Sequence, residues 1–405
     1  MKKTTISLLL SLPLFCANLS VDPYYSPYMG ANLIETTTET LIKLEDSLKF
    51  EPNGWAQQSG AGFYRFATAS LFWAPYGRFT NVVQHEVFGH GYRIRSLKKW
   101  GFKTTSYYFD PPSIYGSRGG ATSFIAPSNC SVTGMNSIDF GGTEGQTVLA
   151  MRLRETFFQN GVQDGRYTSL YGNANFGLTR YIARYDALVN HSMKIEEGND
   201  IGDYLESINA LNPQAPITKE QLFETSLITF LDPFFWGQFI SYFTYVLFGK
   251  EYPTPTITWN SLRFTPSFSP NLTPFGPEII FEQYLSIGTI PFKTYCRYTP
   301  LNNHGIYGIG FKHLYLTQID EFHLGCIVDA WVSPPFSKLT TDQEPFISSQ
   351  KLRPGVQAMI TIRQAIEDKE NFQFGVDLGF KTSGYLIGAP LQAGFAGQAL
   401  IAMEF

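Results

Sequence analysis

Phe372-Gln373-Phe374-Gly375-Val376-Asp377-Leu378-Gly379-Phe380-Lys381 places a large apolar side chain at every second position, with Gln, Gly, Asp, Gly and Lys between them. Successive side chains of a strand point to opposite faces, so this stretch predicts a strand with one apolar face. The alternation recurs at Phe322-Leu324-Cys326-Val328-Ala330, opposite His323, Gly325 and Asp329, and again over 306–316 and 356–366. The chain ends in Phe395-Gly397-Ala399-Ile401-Met403-Phe405, alternating in the same way.

Residues 254–405 therefore read as an antiparallel β-barrel-like region. Its last strand resembles the closing strand of outer-membrane β-barrels, whose strands run to about ten residues with aromatics at the interfaces. The resemblance implies about eight to ten strands and a lumen filled by side chains. A soluble antiparallel barrel or sandwich is the competing architecture. Upstream, Tyr252-Pro253-Thr254-Pro255 stops the preceding helix. Residues 21–253 read as mostly helical, so the fold class is α+β.

Helices are expected near Leu33–Leu48, Gly62–Trp73, Tyr76–Trp100, Gly145–Gln159, Ala174–Met193 and Asp200–Leu211. The Ser-, Gly-, Pro- and Tyr-rich stretch 105–143 is a long loop or a small hairpin, a plausible cleft rim. Leu227–Phe248 is apolar and aromatic apart from Asp232, Gln238 and small polar groups. It is expected to be a buried central helix. Asp232 before Pro233 is either its N-cap or a functional acid. Arg93, Arg95, Lys98 and Lys99 are expected to favour a helix C-terminus.

Within the third of these helices lies His85-Glu86-Val87-Phe88-Gly89-His90. Two imidazoles beside a carboxylate are the groups a zinc hydrolase needs: the rings hold the metal and the acid activates water. The usual spacing is H-E-x-x-H, and here the second His comes one residue late. On a regular helix, positions i and i+5 sit about 140° apart, too far round to share an ion. An i→i+5 bulge would bring them to one face, and Gly89 and Gly91 ease it. The apolar Phe79, Val82 and Val83 put these polar groups on a buried helix, where unpaired ones are costly. A packed, purely structural His pair is the bland alternative.

The pattern H-E-x-x-G-H resembles the zinc helix of the dipeptidyl peptidase III family of metallopeptidases. The resemblance covers six residues. It implies zinc ligation by His85 and His90, Glu86 as general base, and a third ligand from a Glu on a later helix. The family's second motif, E-E-C-R-A-E, is absent. Glu144, in Gly141-Gly142-Thr143-Glu144-Gly145-Gln146, is the candidate third ligand, because the glycines permit close backbone approach at a helix start. Its alternative role is to favour the helix N-terminus by charge. Glu155, Asp139 and Asp232 are weaker substitutes. A Tyr or Arg from the segment before Glu144 would stabilise an oxyanion.

The chain has 405 residues and a net charge of -4, which gives no basic footprint for nucleic acid. Charged residues make up 16%, against about 25% in soluble proteins, and aromatics another 16%; that balance suits contact with membrane lipid. Lys2 and Lys3 followed by the apolar run Ile6 to Phe15 predict a signal peptide over 1–20, cleaved after Ala17 or Ser20. Phe15 argues against lipidation of Cys16. Cys130, Cys296 and Cys326 give no paired framework. Together these features predict an exported zinc-dependent hydrolase of peptides or proteins, associated with the outer membrane. The alternatives are a non-enzymatic barrel with a helical plug or cap, and an intramembrane protease with the zinc helix and Leu227–Phe248 both in lipid.

Overall fold

The computed structural model describes residues 17–48, 55–110, 119–190, 199–300, 305–313, 317–319, 322–334, 351–366 and 369–403. The expected export segment up to residue 16 and the terminal Phe405 lie outside them. In chain order, β1 (Ala17–Val21) leads to α1 (Pro27–Ser47), then α2 (Trp55–Thr68) with a π-helical extension Ala69–Trp73, and α3 (Ala74–His85). A π turn over Glu86–His90 joins α4 (Gly91–Ser96). There follow the hairpin β2 (Lys103–Phe109) and β3 (Gly120–Ile125), α5 (Val132–Asp139), α6 (Gly141–Asn160), β4 (Val162–Gln163), α7 (Thr168–Asn175) and α8 (Gly177–Asn190). The helical half ends with α9 (Asp200–Leu211), α10 (Lys219–Ser226), α11 (Pro233–Phe248) and the short β5 (Tyr252–Pro253). Strands fill the rest: β6 (Ile257–Trp259), β7 (Leu262–Thr273), β8 (Gly276–Ile287), β9 (Ile290–Pro300), β10 (Gly305–His313), β11 (Thr317–Ile319), β12 (Phe322–Ser333), β13 (Arg353–Ile366), β14 (Lys369–Lys381) and β15 (Gly394–Met403).

Local chemistry explains where the helices differ from expectation. Helix α1 begins ahead of Leu33 because the Ser26 hydroxyl accepts from the Met29 amide at 3.2 Å and Pro27 occupies the first turn. The segment 105–143 holds a hairpin as well as α5, started by the Ser131 hydroxyl on the Gly134 amide. An eight-residue helix is too short to show a period in such a sequence. The expected helix Ala174–Met193 is broken between α7 and α8.

The sheet is antiparallel throughout, in the order β1-β15-β14-β13-β12-β10-β9-β8-β7-β6, with β11 on β12. Sequential hairpins build it from β6 to β15, and β1 adds at the far edge with Ala17 opposite Met403. Residues 17–20, read from sequence as part of the export segment, thus belong to the sheet, and the Asn32 amide bonds the Ser20 hydroxyl at 2.9 Å. Cleavage after Ala17 leaves most of this strand in place. The expected barrel does not close: among the described residues β1 and β6 are the two ends of the order and do not pair. Helix α1 lies against β1, and the 3₁₀ turn Leu227–Leu231 with α11 lies against β7.

The strand alternation is real, and its apolar face looks outward. Ile309, Val328, Ile360, Leu378, Phe380 and Phe395 are all at least half exposed, while Glu282, Lys293, Arg297, Asp329, Asp377 and Lys381 are buried. The sheet curls about α6, which meets it by charge as well as by packing. Arg154 is fully buried; it pairs with Glu282 of β8 and donates to the Ser269 hydroxyl of β7 at 2.7 Å. Glu155 takes Lys293 of β9 at 2.7 Å and Lys312 of β10 at 2.6 Å. Asp232 caps α11 by accepting from the Phe234 amide, and it joins the same network through Tyr171 and the Ser267 hydroxyl. Buried charges persist only when paired and hydrogen-bonded, as these are. The break at residue 253 marks a change of secondary structure, yet both halves share their cores: Ile94, Phe102, Phe140 and Tyr204 pack with Leu272, Phe275 and Ile306.

Candidate metal centre

The motif helix contains the predicted overstuffed turn. Helix α3 ends at His85, Glu86–His90 is π-helical, and α4 resumes at Gly91. The extra residue is absorbed, so both imidazoles face one point: His85 Nε2 and His90 Nε2 are 3.1 Å apart. Gly89 makes room for this turn. An ideal Cβ on it would stand 2.7 Å from Gly142 Cα, because α6 starts directly against the bulge.

The third side chain is Asp200, the first residue of α9. Its Oδ2 lies 2.9 Å from His85 Nε2 and 3.1 Å from His90 Nε2. Among the described residues these three form the group of His, Cys, Asp or Glu whose ligating atoms lie close enough to share an ion. Zinc bonds of about 2.0–2.1 Å to nitrogen and oxygen place tetrahedral ligands about 3.3 Å apart, so the triangle is already close to one face of such a shell. The Ile138 carbonyl accepts from His90 Nδ1 at 2.7 Å. That bond puts the lone pair of a neutral ring on Nε2, the atom in the triangle.

The charges agree with a cation position. Burial opposes protonation of His90, but Asp200, first by its charge and then by its hydrogen bond, pushes the ring up to about 10. Asp200 is half-buried, which opposes its ionisation, yet the charge on His90 and the bonds from both rings hold its carboxyl well below the usual range. These directions describe a His90–Asp200 ion pair, whose proton a divalent ion bound to the triangle would displace. Asp139 stands nearby, pushed up to about 8 by burial and then by Asp200 and Asp203. It stays outside the triangle.

Glu144 is not brought to this point, which corrects the expected ligand set. Its Oε2 accepts from Arg93 Nε at 2.6 Å, while its Oε1 accepts from Arg93 Nη2, from the Gly388 amide at 2.9 Å and from the Tyr385 hydroxyl at 3.3 Å. Neither Glu144 nor Arg93 has any solvent exposure, whereas the Asp200 side chain keeps 15%. Arg93, read as a helix-terminal charge, is the partner of Glu144. Glu155 and Asp232 are committed to the α6 network. The glycines before Glu144 do serve close approach: a Cβ on Gly142 would run into His85 Nε2 and Cε1 and into His90 Nε2. Gly142→Ala is accordingly expected to rotate the rings apart and to weaken metal binding by at least about 100-fold, the upper range for loss of an outer-shell partner. Metal analysis after dialysis, beside circular dichroism showing retained helix, checks this.

Glu86 is buried beside the cluster. The Thr122 hydroxyl of β3 donates to its Oε2 at 2.7 Å and to its backbone carbonyl at 3.1 Å. Sequence reasoning also missed Tyr181. This α8 phenol packs against His85 with ring centroids 6.1 Å apart, and its hydroxyl is held protonated by burial and then by the charge of Asp200. In comparisons with known proteins, no family model, curated protein or solved structure matches the chain.

Proposed function

We propose that the protein is a metal-dependent hydrolase, with zinc as the expected ion and a peptide or protein as substrate, seated in an outer membrane by its sheet. The observation that carries the reading is the convergence of His85, His90 and Asp200 across a π turn, with Glu86 between the two rings in sequence. Three protein ligands with a fourth position left for water is the arrangement of catalytic zinc sites. A zinc ion held there would act as a Lewis acid on the scissile carbonyl and lower the pKa of the attacking water.

The remaining steps belong to the chain. Glu86 takes a proton from the water as its oxygen adds to the carbonyl carbon. It returns that proton to the leaving nitrogen as the C–N bond breaks. The Thr122 hydroxyl holds the carboxylate in position for both transfers, and the Tyr181 hydroxyl, hydrogen-bonded to Asp200, would have to leave that carboxylate to donate to the developing oxyanion. The peptide assignment rests on the motif's resemblance to a metallopeptidase helix. The membrane assignment is supported by the apolar exterior and charged interior of the sheet, the distribution found in barrels with polar lumens.

The test is metal content and casein or peptide hydrolysis of the purified full chain. One zinc per chain is expected, lost in His85→Ala and in Asp200→Ala. Protein that takes up no zinc on titration overturns the reading. Wild type that holds zinc but cleaves nothing reduces the site to a clamp between α3 and α9.

A further inference from the structure

Helix α11 is amphipathic in the inverted sense. Its buried stripe is Phe234, Gly237, Gln238, Ser241, Tyr245 and Val246, with Gly237, Gln238 and Ser241 at its middle. Gln238 Nε2 donates to the Asp164 carbonyl at 2.6 Å and the Ser241 hydroxyl to the Gln163 carbonyl at 2.5 Å. The opposite stripe, Trp236, Phe239, Ile240, Phe243, Leu247 and Phe248, is 43–67% exposed. No Asp, Glu, Lys or Arg occurs between Pro233 and Phe248. The expectation of a buried central helix is corrected here: one face is buried, and it is the one that carries the helix's polar Gln238 and Ser241.

Helix α2 and its π extension run beside it. Phe63 is 73% exposed, and Phe66, Leu71 and Phe72 are also exposed. Arg65, the one charge of α2, is turned onto the end of α11, where it donates to the Val246 and Leu247 carbonyls at 3.1 and 3.2 Å. That satisfies carbonyls left free at a helix C-terminus and removes the charge from the apolar face.

These helices stand where the sheet fails to close. Helix α11 lies against β7 near the β6 end of the sheet, and α1 lies against β1 at the other. Glu45 of α1 ties the two sides by accepting from Trp73 Nε1 at 2.9 Å and from the Tyr245 hydroxyl at 3.0 Å. We propose that α11 and α2 complete the bilayer-facing wall of the molecule, presenting to acyl chains an apolar belt continuous with the outer face of the sheet. This rests on the membrane reading given above.

Three observations select lipid as the occupant. Exposed apolar side chains lie on both the helices and the outer face of the sheet, as at Phe243 and Ile360, whereas a second copy would cover only one side. Soluble monomers carry contiguous apolar patches of about 300–600 Å² at most, and this surface runs over two helices and most of the strands. The 16 residues of α11 rise about 24 Å, close to the apolar band of about 25 Å on outer-membrane barrels. No described helix is long and apolar enough to cross a membrane; α11 needs lipid on one side only, since Gln238 and Ser241 on its other side donate to the Asp164 and Gln163 carbonyls within the protein.

The experiment places benzoylphenylalanine singly at Phe243, at Ile360 on the sheet exterior, and at Tyr284 in the interior, in the full chain reconstituted into phosphatidylethanolamine–phosphatidylglycerol vesicles. Metal content of each variant reports folding. After irradiation, a mass increase of one phospholipid is expected at Phe243 and at Ile360 and none at Tyr284. Adducts at Ile360 alone overturn the helical wall and leave the sheet in the membrane. Adducts at neither exposed site remove the membrane reading itself. Cross-linked dimers at Phe243 replace lipid by a second copy.

Discussion

Glu86→Gln protein is expected to keep its metal and lose hydrolysis by about 10²–10⁴-fold, the range in which a positioned general base contributes, or about 3–5 kcal/mol of barrier. The substitution preserves volume and leaves an oxygen to accept from the Thr122 hydroxyl, so the buried pocket does not collapse. What it removes is the proton acceptor. His85, His90 and Asp200 keep their geometry, because none of their contacts runs through the Glu86 carboxylate. The measurements are zinc content and turnover of one peptide by wild type and variant prepared together. Equal turnover takes Glu86 out of the chemistry. Joint loss of zinc and activity shows that it serves the metal instead.

Glu144→Ala is expected to unfold the protein rather than to empty the site. Removing the carboxylate strands Arg93 with no exposure to water and no counter-charge, and breaking one side of a buried pair typically costs about 3–5 kcal/mol. The Tyr385 hydroxyl and the Gly388 amide lose an acceptor at the same time. Denaturant titration of wild type and variant reads the cost. The fraction that folds should carry zinc as wild type does, whereas a ligand role for Glu144 would give the opposite pair of results: normal stability and no metal.

That contrast shows what was legible in the sequence. The extra residue between His85 and His90 requires a π turn if the two rings are to share an ion, and the turn is there. The glycines at 141, 142 and 145 announce close backbone approach, and α6 does abut the bulge. The third ligand was hidden. Asp200 lies 110 residues beyond His90, reads only as an ordinary acidic helix start, and is joined to the rings by tertiary packing. Arg93 and Glu144 carry no mark of pairing, since a buried ion pair has no period in one dimension. The strands declare two faces through their alternation, but alternation does not say which face meets the interior. That the barrel stays open was not legible for a related reason: pairing at the sheet's ends depends on what lies between them. Leu227–Phe248 misled because its average apolarity masks the polar stripe Gly237, Gln238 and Ser241.

The pairing of Ala17 with Met403 sets a limit on when the molecule can be finished. That contact spans nearly the whole polypeptide, so this edge cannot be laid down until residues 394–403 have left the ribosome and reached the same compartment as residue 17. Closing so long a loop adds little entropy beyond a loop half its length, but it delays the step. Until then β1 lacks its sheet partner and offers an unprotected row of amides and carbonyls to any neighbouring chain.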